Sequence, residues 1–342
     1  MPGPAFVTGG SGFVGGGVVR ALVTGGRQVR ALARSDEAAA IVRNLGAEPV
    51  RGDVGDMEAM LAGMRGCSTV FHIAGMNAMC VRDPEAMMRT NVEGSVAVVR
   101  AAAAAGVERV VYTSSGATIG EPAGAVGRED TTHRGWFLSD YERSKVLAER
   151  QVLAGSHELG IAAVSVNPSS VQGPGRSGGS SRLLLHLVNG RLPVVVRTTL
   201  SVVDIEDCTR AHLLAETIGR PGARYLVSGA SLDLGEAVDL LRSVCGRPNR
   251  VAFAPRGLAR AAGSVVGTLA RAFGRDLALC PEMMRTVLHG HRYDGSLAER
   301  ELGLVYTPIE DTMRRTLAWY ADRGLAPPPL EQTPISAPVD GA

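Results

Sequence analysis

Two residues four positions apart, Tyr141 and Lys145, could together carry acid–base chemistry. Lys145 is the single lysine in a chain whose lysines and arginines number 36, so arginine supplies every other cation. A tyrosine and a lysine at this spacing share one face of a helix. Because an ammonium stabilises a phenolate, we expect Lys145 to lower the pKa of Tyr141 from its usual value of about 10. Tyr141 would then give or take a proton near neutral pH; the alternative is a leftover lysine in an arginine-rich chain.

A glycine-rich turn near the start of the chain predicts a site for a nucleotide pyrophosphate. It follows the apolar segment 5–7 and precedes an apolar stretch at 18–23. In a strand–turn–helix context, such glycines let the backbone approach a pyrophosphate at the helix N-terminus. The turn residues that we expect at the cofactor are Gly9, Ser11, Gly12, Phe13, Val14 and Gly15.

The residue after the second predicted strand, 28–33, bears on the choice between NADP and NAD. NAD enzymes carry an acidic residue there for the ribose 2′-hydroxyl, whereas an arginine accepts the 2′-phosphate of NADP. The chain has Arg34 at this position, followed by Ser35. We therefore predict NADP, bound by Arg34 with help from Ser35. Asp36 is the rival residue and keeps NAD possible, and Arg34 as a solvated turn residue is a further alternative.

Four later segments predict the remaining strands of a parallel sheet. They cover 49–54, 69–75, 107–113 and 161–166, and helical stretches separate them. This alternation predicts an α/β fold of the Rossmann type, a doubly wound parallel sheet that binds ligands at the carboxyl ends of its strands. The residues at those ends that we expect beside the cofactor are Asp53, Val54, Ile73, Ala74, Gly75, Thr113, Pro168, Ser169, Ser170 and Val171.

The motifs occur together in one order, from the glycine turn through Tyr141 and Lys145 to the segment 167–174. In this combination the chain resembles the extended short-chain dehydrogenase/reductase superfamily, of the NAD-dependent epimerase/dehydratase type, over about residues 4–322. The resemblance implies catalysis by Ser115, Tyr141 and Lys145, with Asn91 as a structural or proton-relay residue. Ser115 would hydrogen-bond the substrate oxygen, and Lys145 would also hold the nicotinamide ribose. Substrate contacts are expected from Met76, Ser115 and Gly116.

Within that superfamily the chain is similar to two groups. Segments 29–34, 111–115 and 201–204 resemble dihydroflavonol-reductase-like and 3β-hydroxysteroid-dehydrogenase-like members. Segments 293–303 and 318–320 are similar to the hopanoid-associated sugar epimerases. We predict an NADP-dependent oxidoreductase that interconverts a carbonyl and a secondary alcohol on a small, apolar or amphipathic substrate. An NAD-dependent sugar-nucleotide C4 epimerase is the alternative, and a nucleotide sensor without catalysis is the third.

Composition narrows the class of protein. A net charge of +2 and an aromatic content of 4% give no support for a nucleic-acid partner. No apolar run reaches the ~20 residues that a membrane-spanning helix needs, so stable membrane insertion is not expected. Five scattered cysteines without a C-x-x-C motif predict reduced thiols in a cytoplasmic protein. No set of residues predicts a metal site.

The strict alternation of strands and helices ends after residue 172, which predicts a second, smaller part. We assign 1–172, with returning segments near 195–230, to the nucleotide-binding domain. Residues 173–194 and 231–323 would bind and cover the substrate, with a helical lid within 255–273, and 324–342 would be a disordered tail. The resemblance implies a homodimer. An apolar substrate is suggested by Met76, Met79, Met87, Met88, Met283 and Met284.

Overall fold

A computed structural model of the chain describes residues 3–246, 251–255, 257 and 280–330. The strands within these residues are β1 (Ala5–Thr8), β2 (Val29–Ala33), β3 (Glu48–Arg51), β4 (Thr69–His72), β5 (Arg109–Thr113), β6 (Val126–Gly127), β7 (Ala162–Pro168), β8 (Ser170–Gln172), β9 (Val194–Val196), β10 (Thr199–Asp204), β11 (Arg224–Val227), β12 (Ala230–Asp233), β13 (Ala252–Ala254) and β14 (Arg292–Tyr293). The α-helices are α1 (Phe13–Thr24), α2 (Asp36–Asn44), α3 (Met57–Met64), α4 (Pro84–Met88), α5 (Gly94–Ala104), α6 (Asp140–Glu158), α7 (Ser181–Val188), α8 (Ile205–Ile218), α9 (Leu234–Cys245), α10 (Pro281–His289), α11 (Ser296–Leu302) and α12 (Ile309–Asp322).

A seven-stranded sheet forms the centre of the described chain, in the order β11-β7-β5-β4-β1-β2-β3. Every neighbouring pair in it is parallel. The strand order reverses between β1 and β4, and ligands bind in the crevice at such a switch point. The predicted Rossmann-type α/β fold is therefore confirmed.

Both faces of this sheet are covered by helices, which explains why its strands are apolar along almost their whole length. Phe6 and Val7 are both fully buried and belong to different core clusters, because successive side chains of a strand point to opposite faces. Val7 packs in the cluster that includes residues of α1 and α8. Phe6 packs in the cluster that includes residues of α3, α5 and α6.

A second part of the described fold, which includes much of the region predicted to bind the substrate, is built from small sheets and a separate apolar cluster. The short strands β8, β10 and β12 form a three-stranded sheet, and β13–β9 and β14–β6 are two-stranded pairs. Helices α7, α9 and α12 contribute Leu184, Leu241, Leu317 and Tyr320 to one buried cluster. These elements are separated by long stretches of chain, so only long-range packing brings them together.

The cysteines depart from the sequence prediction. Cys80 and Cys280 form a disulfide across a sequence separation of 200 residues. Cys67, Cys208 and Cys245 are free and buried. The prediction of reduced thiols is therefore wrong for two of the five cysteines. A link of this length leaves no spacing pattern in the sequence, since the fold alone brings its two ends together.

The end of the described chain is ordered further than we predicted. Leu325 donates a backbone hydrogen bond to Tyr320, and Leu330 donates one to Cys245. Order therefore extends beyond residue 324, where we expected a disordered tail to begin, and 331–342 lie outside the described residues. The predicted lid at 255–273 also lies almost entirely outside them. Among the described helices, none is long and apolar enough to cross a membrane.

Candidate active site

The glycine turn joins β1 to α1 with almost no space for side chains. Gly9 has φ +72, and a Cβ there would lie 2.7 Å from the backbone nitrogen of Ala74. A Cβ on Gly15 would lie 2.1 Å from the carbonyl oxygen of Gly9. Gly12 caps α1 without a side-chain hydrogen bond, and no acidic residue lies in the first turn. The amide groups at this helix end are thus free of a side-chain partner, which fits an anionic pyrophosphate.

The ends of β1 and β4 are tied together behind this turn. The hydroxyl of Thr8 accepts hydrogen bonds from the backbone N–H groups of Ile73 and Ala74, both at 3.1 Å. The same hydroxyl lies 2.8 Å from Nδ1 of His72, whose Nε2 lies 2.8 Å from the Ser95 hydroxyl. Burial, helped by the charge of Lys145, lowers the pKa of His72 to about 3. His72 is therefore a neutral hydrogen-bonding residue at the end of β4.

Arginines follow both β2 and β3 at the carboxyl edge of the sheet. Arg34 and Ser35 are exposed, and the Ser35 hydroxyl caps α2. Arg51 ends β3 and is the register partner of Ala33 at the end of β2. Asp36 is fully exposed and lies 3.4 Å from the Arg51 guanidinium. The rival carboxylate is thus paired with an arginine that our sequence analysis did not single out.

The other predicted cofactor residues lie near the ends of β3 and β7. A carboxylate oxygen of Asp53 accepts the N–H of Gly55 at 2.7 Å, and Val54 packs against the start of α5. Ser169 donates its N–H to Val227, while its buried hydroxyl has no hydrogen-bond partner. Pro168 ends β7, and Ser170 and Val171 belong to β8.

Ser115 begins the 3₁₀ turn Gly116–Ile119 that follows β5. Its hydroxyl accepts the N–H of Ala117 at 3.2 Å and lies near the Tyr141 phenol, whose pKa it lowers. Ser114 differs, because its hydroxyl is buried without a hydrogen-bond partner and its N–H pairs with the β7 carbonyl of Val166. The structure thus brings Ser115 to Tyr141.

Lys145 lies one turn after Tyr141 in α6, so both side chains share one face. The lysine is 6% exposed. Its ammonium donates to the Tyr112 hydroxyl and to the Thr113 carbonyl oxygen, both at 2.8 Å. These two acceptors hold a compact ammonium in a buried position. The planar guanidinium of an arginine has a different shape and donor geometry, so it would not fit them in the same way.

The acid–base properties of this pair differ from the expectation. Burial raises the pKa of Tyr141 above 10, more than the Ser115 hydrogen bond and the charge of Arg176 lower it. The expected lowering by Lys145 is therefore wrong for this arrangement, because the ammonium is held by Tyr112 and Thr113 instead. Burial lowers the pKa of Lys145 to about 8, against the opposing charge of Glu149.

Asn91 connects the catalytic helix to the loop after β4. It lies in a π-helical turn, Arg89–Glu93, and is 1% exposed. Its amide oxygen accepts the N–H of Met76 at 2.7 Å, and its amide nitrogen donates to the Met76 carbonyl at 3.0 Å. The same nitrogen donates to the Ser144 hydroxyl, next to Lys145, at 2.9 Å. Asn91 thus positions Met76 and, beside it, Gly75.

Two residues beside the site escaped the sequence analysis. Tyr112 precedes the predicted Thr113, and its partnership with Lys145 depends on how α6 packs on β5. Arg176 follows β8, and its charge acts on Tyr141 while its guanidinium lies 5.7 Å from the Phe13 ring. A tyrosine within a strand and an arginine within a glycine-rich loop carry no motif that would have identified them.

Helix α10 is anchored to the same site by a carboxylate and by the disulfide. Glu282 accepts the N–H of Asp140, at the start of α6, at 3.1 Å and the N–H of Cys80 at 3.2 Å. The Cys80–Cys280 bond links the loop after Met76 to the residue that caps α10. Met76 and Met79 therefore lie on a segment that is joined to the one that carries Met283 and Met284.

Comparison with known proteins gives one family for most of the chain. The NAD dependent epimerase/dehydratase family matches residues 5–227. A Synechocystis protein named for dihydroflavonol 4-reductase is 31% identical over 328 residues, covering 93% of this chain and 95% of the relative. The 4-hydroxy-2-methyl-3-oxo-4-farnesyl-3,4-dihydroquinoline-1-oxide ketoreductase of Stigmatella aurantiaca is 33% identical, covering 93% and 92%. The UDP-glucose 4-epimerase of Streptomyces lividans is 30% identical, covering 75% and 85%.

Solved structures share the fold. That of gox2253 superposes with a TM-score of 0.83 at 30% identity and covers 94% of this chain and 99% of its own. The UDP-glucose 4-epimerase of Thermotoga maritima gives a TM-score of 0.75 at 20% identity, covering 94% and 99%. At that identity the likeness concerns the fold alone.

Proposed function

This chain belongs to the NAD dependent epimerase/dehydratase family, and from that premise we propose an NADP-dependent oxidoreductase that interconverts a carbonyl and a secondary alcohol. Its relatives are NAD(P)-dependent reductases and epimerases, and the chain is an enzyme of this kind. The observation that carries the proposal is the placement of Ser115 beside Tyr141, one helical turn before the buried Lys145.

The proposed chemistry divides among these three residues. Bound NADPH supplies the hydride to the carbonyl carbon. Ser115 hydrogen-bonds the carbonyl oxygen, and Tyr141 gives that oxygen its proton. A phenol whose pKa is raised by burial stays protonated at neutral pH. Tyr141 therefore carries the proton that the reduction consumes. Lys145 would hold the sugar next to the nicotinamide, while Ser115 and the charge of Arg176 favour the phenolate that remains.

The preference for NADP rests on charge at the ends of β2 and β3. Arg34 is exposed beside the switch point, and Arg51 ends the neighbouring strand. Two guanidinium groups suit a 2′-phosphate, because arginine binds phosphate with paired hydrogen bonds. Asp36, which would favour a free 2′-hydroxyl, lies 3.4 Å from Arg51 and is partly neutralised by it.

We propose a small apolar or amphipathic ketone as the substrate. The expected contact residues Met76, Ser115 and Gly116 lie on the loop after β4 and on the turn after β5. Methionine adapts to irregular apolar ligands. The ketoreductase of Stigmatella, which is similar along 93% of this chain, has a farnesyl group in the name of its substrate.

The experiment starts with purified protein, NADPH or NADH, and a panel of aryl and alkyl ketones. We expect ketone-dependent oxidation of NADPH at a higher kcat/KM than with NADH. A Tyr141→Phe variant, which keeps the ring but lacks the proton, should lose this activity while it still binds NADPH. No turnover of any ketone, or a preference for NADH, would contradict the proposal.

A sugar-nucleotide C4 epimerase is the second candidate, favoured by the similarity to the Streptomyces epimerase. An epimerase oxidises and re-reduces one carbon, so it retains its nucleotide between turnovers. Denaturation of freshly purified protein, followed by chromatography of the released nucleotide, separates the two candidates. Stoichiometric NAD would favour the epimerase, whereas an empty site or exchangeable NADP(H) would favour the reductase.

Two further predictions belong to this proposal. We expect a homodimer through α5 and α6, which pack against each other in the protomer. Light scattering at several concentrations would test it, and a monomeric mass throughout would contradict it. A cytoplasmic location is likewise part of the proposal. Because disulfides are rare in that compartment, a Cys80–Cys280 bond that is oxidised in cells would contradict it.

A further inference from the structure

Three metal-ligating side chains converge outside the catalytic trio. Glu121 follows the turn that Ser115 begins, His289 ends α10, and His291 precedes β14. A carboxylate oxygen of Glu121 lies 2.7 Å from Nδ1 of His291 and 3.7 Å from Nε2 of His289. One donor atom from each residue lies within 4.8 Å of the other two.

The donor types and their separations suit a transition-metal ion. Zinc binds imidazole nitrogen and carboxylate oxygen at about 2.0–2.2 Å, which places tetrahedral donors about 3.3 Å from one another. The two separations from Glu121, 2.7 and 3.7 Å, lie on either side of that value. Small side-chain rotations would bring the three donors to that spacing, since no two of them lie more than 4.8 Å apart. Two histidines with one glutamate also form an established zinc-binding set.

Two polar atoms of this cluster are buried without a hydrogen-bond partner. They are the second carboxylate oxygen of Glu121 and Nε2 of His289. Glu121 is 1% exposed, and the side chain of His289 is 4% exposed. A buried polar group without a hydrogen-bond partner destabilises the folded state. A cation among these donors would remove that cost, and it explains why both atoms are left free in one small region.

The surrounding charges also favour a cation. Glu142 is a second buried carboxylate, and it forms a short ion pair with Arg134. Toward Glu121, Arg134 donates to the backbone carbonyl, at 3.3 Å, and not to the carboxylate. The Glu121 carboxylate thus faces two imidazoles rather than a guanidinium, and a divalent cation would compensate its buried negative charge.

A path to the cluster is present. A cavity of about 1050 Å³ is lined by 123–125 and 288–290, among others, so His289 forms part of its wall. Ser115 and Tyr141 do not line this cavity, which separates it from the proposed site of hydride transfer. A hydrated metal ion could thus reach the donors without crossing the catalytic residues.

We propose that Glu121, His289 and His291 bind one divalent transition-metal ion, with Zn²⁺ as the expected ion. The Tyr293 hydroxyl lies 3.0 Å from Nδ1 of His291 and is suited to the edge of the coordination sphere. The Tyr293 ring packs closely on Gly116, since a Cβ added to Gly116 would lie 2.8 Å from a carbon of that ring. The ion would tie α10 to the turn beside Ser115, and it would revise our sequence prediction that no metal is bound.

The experiment uses full-length protein without a histidine tag, freed of metal by a chelator and dialysed. Titration with ZnCl₂ should show one ion per chain and a rise in the melting temperature. Glu121→Gln and His289→Ala should weaken binding by about a hundredfold, as expected when a ligand is lost. The matched controls Glu37→Gln and His157→Ala change exposed residues outside the cluster and should bind as the wild type does.

Co²⁺ provides a measurement that does not depend on how the variants fold. X-ray absorption of the Co²⁺-loaded wild type should show scattering from two imidazole rings, and its visible spectrum should report a site of low coordination number. Substoichiometric Zn²⁺ binding, equal affinity in the variants, or a Co²⁺ environment without imidazole would each overturn the proposal. The cluster would then be a hydrogen-bonded ion-pair network.

Discussion

The nucleotide end and the substrate side of this molecule are assembled over different distances along the chain. At the nucleotide end, Gly9, Gly12 and Gly15 lie within one turn between a strand and its helix. On the substrate side, Glu121 meets His291 across 170 residues. Local motifs therefore build the first region, whereas long-range packing builds the second. The catalytic helix α6 lies between them and takes partners from both.

Replacing Lys145 by arginine should have the largest effect on activity. The buried ammonium fits between the Tyr112 hydroxyl and the Thr113 carbonyl, and a guanidinium cannot reproduce those two contacts. We expect kcat/KM for ketone reduction to fall about a hundredfold or more, with an unchanged circular dichroism spectrum. Arg143→Lys, at the exposed neighbouring position, is the control. Wild-type turnover in Lys145→Arg would mean that a cation of either shape suffices.

Breaking the Cys80–Cys280 link tests the long-range assembly of the substrate side. Cys280→Ser should lower the free energy of unfolding by about 2–4 kcal/mol, because the unfolded chain loses a constraint. A reductant should lower the melting temperature of the wild type and leave that of the variant unchanged. Binding of the nucleotide should hardly change, since β1 and α1 form no part of the link. Equal melting of both proteins in both conditions would show that the link contributes nothing.

Removing Arg34 tests the local assembly of the nucleotide end. If its guanidinium contacts the 2′-phosphate, Arg34→Ala should lower the ratio of kcat/KM for NADPH over NADH by about ten- to a hundredfold. Arg43→Ala, on an exposed position of α2, is the matched control. An unchanged ratio would contradict a contact between Arg34 and the 2′-phosphate. It would leave Arg51 as the phosphate ligand or NAD as the cofactor.

The smallest effect is expected in the pH dependence of kcat/KM, which tests the role of Lys145 in α6. Lys145 has a pKa of about 8 in the folded protein, so its charge is complete below that pH and is lost above it. The pKa of Tyr141 is raised, so the phenol remains protonated through the same range. We expect kcat/KM for reduction to fall about tenfold per pH unit above about 8. A profile that stays flat through this pH, or that keeps the same step in Lys145→Arg, would contradict the assignment.

Sequence patterns predicted most of the central sheet and the residues at its carboxyl edge. These features are local in the sequence: the glycine turn, the strand ends and the Tyr141–Lys145 spacing. The geometry of a β-strand or a helix then fixes the direction in which their side chains point. Strand limits shifted by a few residues, as for β3, which ends at Arg51 rather than at residue 54. Such shifts leave the edge residues at the same side of the sheet.

Other features could not be predicted from the sequence, because they depend on how distant segments pack. The pKa of Tyr141 moved in the direction opposite to our expectation, because burial and the partners of Lys145 depend on packing. The disulfide and the cluster around Glu121 join segments that no periodicity relates. Arg51 and Arg176 are ordinary arginines in an arginine-rich chain until the fold sets them beside the edge of β2 and beside Tyr141.

The sequence by itself determined the Rossmann-type sheet, the glycine turn at its switch point, and the serine, tyrosine and lysine proposed for catalysis. The sheet, the turn and the Tyr141–Lys145 spacing follow from steric or hydrogen-bonding rules that act over a few residues, whereas Ser115 was implied by the resemblance to the superfamily. Tertiary structure alone decided which groups surround these residues: Tyr112 beside Lys145, Cys280 bonded to Cys80, and two histidines beside Glu121. Those contacts depend on how helices and loops from distant parts of the chain pack, and that packing sets burial, charge and pKa.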